Sequence, residues 1–237
     1  MKGRYLLVVG LLAVAIIPAL AGDIVSMPTG NMVKPHNVEF NYIYWNLPGS
    51  ASQGPGLSHV GEVFVGVCDR LELDVDYVHM TDGFPNQLPP VSFKKDVTEV
   101  NAYFRVIDET ATHPSLILGA TNLTASTFLP SSERPTGDAR VSPFAIGAYN
   151  IHLPKAGPPT WTDPVVRLHL GYGTGYHEKQ FFGGAQVLFT PQIGAAWFNY
   201  TGQNAVVGVY NLNNKFQARV GRFYHGNFAS LGYATAF

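Results

Sequence analysis

The chain has 237 residues, with 15 Lys+Arg against 16 Asp+Glu and a formal net charge of -1, a balance that excludes a basic nucleic-acid surface and an acidic tail. Charged residues make up 13% and hydrophobic residues 46%, where a soluble domain carries roughly 25% charged residues. The single cysteine, Cys68, excludes an internal disulfide framework and a multi-cysteine metal or iron–sulfur centre.

In chain order, Met1-Lys2-Gly3-Arg4 is a short basic stretch, and Tyr5 to Ile17 is an almost unbroken apolar run. Pro18 ends the run, and Ala19-Leu20-Ala21 supplies small residues for a signal peptidase. This is a secretory signal. The run is shorter than the roughly 20 residues of a spanning helix. The expected organisation is a signal peptide at 1–21, cleaved after Ala21, a periplasmic N-terminal segment at 22–36, and a β-domain at 37–237.

After Gly22 the chain alternates with period two rather than 3.6. Asn37 to Leu47 sets Val38, Phe40, Tyr42 and Tyr44 against Asn37, Glu39 and Asn41. Leu71 to His79 sets Leu71, Leu73, Val75 and Tyr77 against Glu72, Asp74 and Asp76. Thr98 to Val106 sets Val100, Ala102, Phe104 and Val106 against Glu99, Asn101, Tyr103 and Arg105. Pro164 to Gly173 sets Val166, Leu168, Leu170 and Tyr172 against Arg167, His169, Gly171 and Gly173. Phe216 to Phe223 sets Phe216, Ala218 and Val220 against Gln217, Arg219 and Gly221. Less regular runs lie at 60–68, 115–122, 142–152, 181–190, 192–199, 204–210 and 227–237. About twelve strands result.

Connectors after even strands are mostly tight, as at Asp69-Arg70, with 153–163 the exception. Those after the first three odd strands, 48–59, 80–96 and 123–141, are long and rich in Gly, Pro, Ser and Asn. Short turns on one side and long loops on the other are the asymmetry of an outer-membrane barrel. Tyr42, Tyr44, Trp45, Tyr77, Trp197, Phe198, Tyr200, Phe223 and Tyr224 fall near strand ends, where aromatic residues favour the headgroup level. Gly232, Tyr233 and the terminal Phe237 are similar to the C-terminal assembly signal of bacterial outer-membrane proteins, with Thr235 in place of an apolar residue. The partners this implies are membrane lipid and the outer-membrane assembly machinery. A secreted β-sandwich would place many Lys, Glu and Thr on its outer face. Here apolar faces recur on strand after strand.

The polar faces carry the site expectation. Glu39, Glu62, Glu72, Asp74, Asp76 and Glu99 on the first four strands, Arg105 on the fourth, and Arg167, His169 and Arg219 on later ones, face the lumen of a barrel. An Arg or Lys facing lipid at the midplane costs roughly 2–4 kcal/mol. Two readings of these charges stand open: a transverse field across a narrow pore, or a closed network that fills the lumen.

A family resemblance sits on Ser26-Met27-Pro28-Thr29-Gly30, Asn37-Val38-Glu39-Phe40-Asn41-Tyr42, Gly66-Val67-Cys68-Asp69-Arg70-Leu71-Glu72-Leu73 and His113-Pro114-Ser115-Leu116-Ile117-Leu118-Gly119. Together these resemble the YjbH-like outer-membrane β-barrel proteins associated with bacterial exopolysaccharide production. The resemblance spans roughly residues 24–122. It implies an outer-membrane barrel without enzyme chemistry and a polysaccharide as partner.

Enzymatic motifs are sparse. No Gly-x-Ser-x-Gly elbow is present, and no His-x-x-x-His or His-Glu-x-x-His spacing suggests a metal. His177-Glu178 reads as a solvated loop pair, and Gly171-Tyr172-Gly173-Thr174-Gly175 as a strand end with close backbone approach. Cys68 is expected to be a buried or half-buried thiol. The sequence therefore predicts an all-β, closed antiparallel transmembrane β-barrel of about twelve strands in the bacterial outer membrane. Its predicted role is structural or transport-associated, with no catalytic residues, cofactor, metal or nucleic-acid partner. The alternatives are a lipid-modifying barrel enzyme, which needs a Ser and a His facing each other at one membrane interface, and a secreted β-sandwich.

Overall fold

The computed structural model describes residues 29–47, 56–80, 96–125, 141–154, 164–174, 180–200, 202–223 and 226–237. The signal at 1–21, the bulk of the long connectors, His177-Glu178, Gly175 and Tyr224 lie outside the described residues.

The alternating runs form twelve strands: β1 (Asn37–Leu47), β2 (Gly56–Cys68), β3 (Leu71–Met80), β4 (Asp96–Ile107), β5 (Ser115–Thr121), β6 (Ser142–His152), β7 (Val165–Gly173), β8 (Gln180–Leu188), β9 (Ile193–Tyr200), β10 (Gln203–Asn211), β11 (Phe216–Phe223) and β12 (Gly226–Ala236). Each pairs antiparallel with its sequence neighbours, and β1 pairs with β12 to close the barrel. The closing register runs from Asn37 opposite Ala236 to Asn46 opposite Asn227. Closure leaves no strand edge with unpaired backbone groups. The sandwich alternative is thereby excluded.

One register per strand decides which side chains face in. Phe40, Tyr42, Val75, Tyr77, Phe104, Leu118, Leu168, Leu170, Val206, Val220 and Leu231 all stand exposed on the outer surface. The inner surface buries Ile43, Phe64, Ile117, Ile146, Phe198 and Val207 together with the acidic residues of β1–β3. Strand parity also reassigns several aromatics expected at the headgroup level. Trp45, Phe198, Tyr200 and Phe223 belong to the inner face, where Trp45 stacks on Phe223 at 5.6 Å and donates its indole N–H to the Phe223 carbonyl at 3.3 Å. Tyr42, Tyr44, Tyr77 and Trp197 remain outside.

A barrel of eight strands is about filled by its own side chains, and twelve enclose more space. Two devices fill this one. Inward Gly119, Gly171, Gly184 and Gly221 are each covered by a phenyl ring from the adjoining strand, Phe144, Phe182, Phe198 and Phe228 respectively, which occupies the place a Cβ would need. Phe144 and Phe182 then meet edge to face at 6.2 Å, and Phe182 and Tyr200 at 5.7 Å. The second device is the chain before β1. Thr29, Met32 and Val33 are buried, and Met32 packs with Ile117, Ile146 and Phe198 in the core. The described part of the 22–36 segment thus runs inside the barrel mouth.

Cys68 is exposed rather than buried. The β2–β3 register shifts between Gly66 and Cys68, and a bulge of this kind turns the last residue of the strand away from its inner face.

Candidate functional site

The inner wall of β1–β4 is the polar centre of the molecule. Alternation places Glu39 and Asn41 on β1, Glu62 on β2, Glu72, Asp74 and Asp76 on β3, and Glu99 and Asn101 on β4. Antiparallel pairing then aligns Asn41, Glu62, Asp76 and Glu99 across the four strands. Glu39, Glu62, Glu72, Asp74 and Asp76 are buried, and Glu99 is half-buried.

Amides organise these carboxylates. Asn101 Nδ2 donates to Asp74 Oδ2 at 2.7 Å and to Asp76 Oδ2 at 2.9 Å, while its Oδ1 accepts the Asn122 backbone N–H at 2.8 Å. Asn122 adopts φ 55°, a left-handed conformation that asparagine tolerates better than most residues. Asn41 Nδ2 donates to Glu62 Oε2 at 3.3 Å. The Val33 backbone N–H donates to Glu72 Oε2.

The arginines do not form an opposing wall. Arg219 on β11 is buried and reaches back across β12 to Glu39, Nη2 to Oε1 at 3.4 Å, with its Nε donating to Gln217 Oε1. Arg105 lies 3.9 Å from Asp108 at the rim. Arg167 bridges two partners: Nη1 donates to Glu109 Oε2 at 2.7 Å and Nη2 to the Gly30 carbonyl at 3.0 Å. His169 is buried and its ring lies 5.7 Å from that of Phe198. Of the two readings of the charges, the geometry matches the network. Six carboxylates lie on one wall, and the cations are spent on Glu39 and on the rim.

Sequence reasoning missed a second polar group, on the outer face. Pairing aligns Tyr44, His59, His79 and Asp96 across β1–β4. His79 Nδ1 lies 2.7 Å from Asp96 Oδ1, Tyr77 Oη donates to the same oxygen at 2.5 Å, and Tyr42 Oη lies 2.6 Å from His59 Nδ1. The four residues are far apart in sequence, and only the register of three strand pairs brings them together. His79 and Asp96 have the geometry of a base and its orienting acid. The described residues place no Ser in hydrogen-bond contact with either His59 or His79. Among the described residues no group of three or more His, Cys, Asp or Glu has the arrangement of a metal site.

The C-terminal residues have a definite place at the seam. Gly232 lies opposite Asn41, and a Cβ there would collide with the Asn41 side chain. Tyr233 packs on Phe216 at 4.8 Å between ring centroids. Phe237 donates its N–H to the His36 carbonyl at 2.9 Å and sets its ring edge-on to His36 at 6.1 Å.

The class these features define is a closed twelve-strand antiparallel β-barrel with an apolar exterior and a charged, amide-bridged interior. No family model matches the chain, and no curated protein matches it in sequence. Among solved structures it is similar to a KdgM porin, with a TM-score of 0.48 at 12% identity over 85% of this chain and 99% of that one. A KdgM porin in complex with disordered oligogalacturonate gives 0.47 at 13% identity over 84% and 99%. An outer membrane channel from Pseudomonas putida F1 gives 0.42 at 14% identity over 87% and 97%.

Proposed function

We propose that the chain is a non-enzymatic outer-membrane β-barrel serving a transport-associated role, in which the acidic network of β1–β4 fills the lumen in this conformation and lines a passage when the barrel opens. The observation that carries the reading is the sidedness. Leucine, valine and aromatic side chains cover the outside while six carboxylates line one inner wall. An apolar band around a polar interior is what a lipid-spanning barrel requires. A water-soluble barrel has no reason to expose Leu170, Phe181 and Val220.

The solute class follows from charge. Carboxylates aligned across neighbouring strands repel an anionic chain and favour neutral or cationic solutes. A role in exopolysaccharide export, implied by the family resemblance, is compatible with this wall for an uncharged polymer and opposed by it for a uronate-rich one. The test is ion selectivity of the purified protein in planar bilayers under a KCl gradient. We expect cation preference that falls in Asp74→Asn/Asp76→Asn, and anion preference in the unaltered protein overturns the reading.

The His79–Asp96 pair favours a second reading, lipid chemistry at the outer-face interface. Its missing element is a nucleophile. A fluorophosphonate probe that labels the folded protein would establish that element, and absence of labelling leaves the pair as an interfacial polar anchor.

A further inference from the structure

The segment crossing the barrel mouth is held largely through its backbone. From the β6–β8 wall, Arg167 donates to the Gly30 carbonyl at 3.0 Å, and Gln186 Oε1 accepts from Asn31 Nδ2 at 3.5 Å. Gly30 adopts φ 64°, and a Cβ there would stand 2.8 Å from Ala148 Cβ. From the β2–β3 wall, Glu72 accepts the Val33 N–H, and the Gly66 carbonyl accepts the His36 N–H at 2.8 Å. A Cβ on Gly66 would land on the Lys34 carbonyl. Between the walls Met32 enters the hydrophobic core. The barrel supplies the Arg167 donor, the Gln186, Glu72 and Gly66 acceptors and the clearance at Gly66, and the segment supplies main-chain groups, the Asn31 amide, the buried Met32 and Val33 side chains and the clearance at Gly30. That division of labour is how proteins bind extended peptides.

The grip also differs in kind from that of the walls. Each strand is paired along both edges, whereas residues 29–34 take part in no strand pairing. Segments outside the strand ladder, with few backbone bonds, open at lower free energy than the body of a fold.

We infer that the N-terminal mouth of the barrel is a peptide-binding site and that residues 29–34 are its displaceable built-in ligand. The site takes an extended peptide with glycine at the Ala148 contact and an unbranched apolar side chain two residues later. Release of the segment uncovers Glu72 and the mouth of the acidic wall, so the segment acts as the gate. The gating half of this inference rests on the passage proposed above; the peptide-binding half does not.

The experiment uses the full chain in lipid vesicles, with Cys68→Ser removing the exposed thiol and Met32→Cys reporting on the segment. Labelling by a membrane-impermeant maleimide is slow while the segment is seated. Excess synthetic peptide of residues 26–34 competes for the mouth and is expected to speed labelling about tenfold or more, the change that follows when a local opening is favoured by 1.4 kcal/mol. A scrambled peptide leaves the rate unchanged. Gly30→Val, which adds a Cβ where there is no room, and Val33→Pro, which removes the donor to Glu72, speed labelling without peptide. Heat-modifiable gel mobility checks that each barrel is folded. No acceleration by the native-sequence peptide beyond the scrambled one overturns the inference, whatever the variants do. Conductance of the same samples separates the two proposals. Faster labelling with flat conductance upholds the peptide site and refutes the passage. Conductance without any peptide effect upholds the passage and refutes the peptide site.

Discussion

Replacing Leu170 by arginine tests the membrane assignment most directly. Leu170 lies well inside β7 and is 65% exposed on the outer face, with Gly147 and Gly183 directly opposite it on the neighbouring strands. The flanking glycines have no side chains to shield a charge there. An arginine at the bilayer midplane costs about 2–4 kcal/mol. Withdrawing the leucine from lipid adds about 1–2 kcal/mol, scaled by exposure from the roughly 1.5–3 kcal/mol of a fully transferred side chain. The sum, about 3–6 kcal/mol, is a large share of the 5–15 kcal/mol that holds an ordinary domain folded. Leu212→Arg is the matched control, because Leu212 is 56% exposed but lies in the short β10–β11 turn at the rim, where the same change costs about 0–1 kcal/mol. Urea titration of both variants refolded in phosphatidylcholine vesicles, read by heat-modifiable mobility and tryptophan fluorescence, gives the two differences. If Leu170→Arg costs no more than Leu212→Arg, the outer face is not in lipid and the membrane argument fails. A water-soluble barrel would tolerate both within about 0.5 kcal/mol.

Two further expectations concern the seam. Arg219→Met strands Glu39 inside the barrel and is expected to cost about 3–5 kcal/mol, while adding Glu39→Gln recovers part of that loss, since breaking a buried pair costs more than removing it; additive costs in the urea titration would mean the two residues are not coupled. Phe237→Ala, at a residue 71% exposed, should shift the stability of the assembled barrel by less than about 1 kcal/mol. If Phe237 serves as an assembly signal, its replacement slows insertion, measured as the rate at which the folded band appears when assembly machinery is supplied in vesicles; unchanged rates would remove that role.

The strands were legible because alternation is a local property. Leu71 to His79 shows its two faces without reference to any other part of the chain, and the charges on Glu72, Asp74 and Asp76 mark the face that turns inward. The pairing of first and last strands was expected because closure leaves no strand edge unpaired, and β1 does pair with β12. Assigning Trp45, Phe198 and Phe223 to the headgroup level failed because distance from a strand end was used where parity decides.

What the sequence by itself determined is the class of architecture and the two faces of its alternating strands, since side-chain alternation acts residue by residue. Only the tertiary structure decided what those residues meet. The alignment of Tyr44, His59, His79 and Asp96 depends on three inter-strand registers. The reach of Arg219 to Glu39 depends on closure. The seating of Gly30 and Val33 between Arg167 on one wall and Glu72 on another, far apart in sequence, depends on the width of a twelve-strand ring. Each is a long-range coincidence of position, and period-two patterning carries no information about which strand lies opposite which.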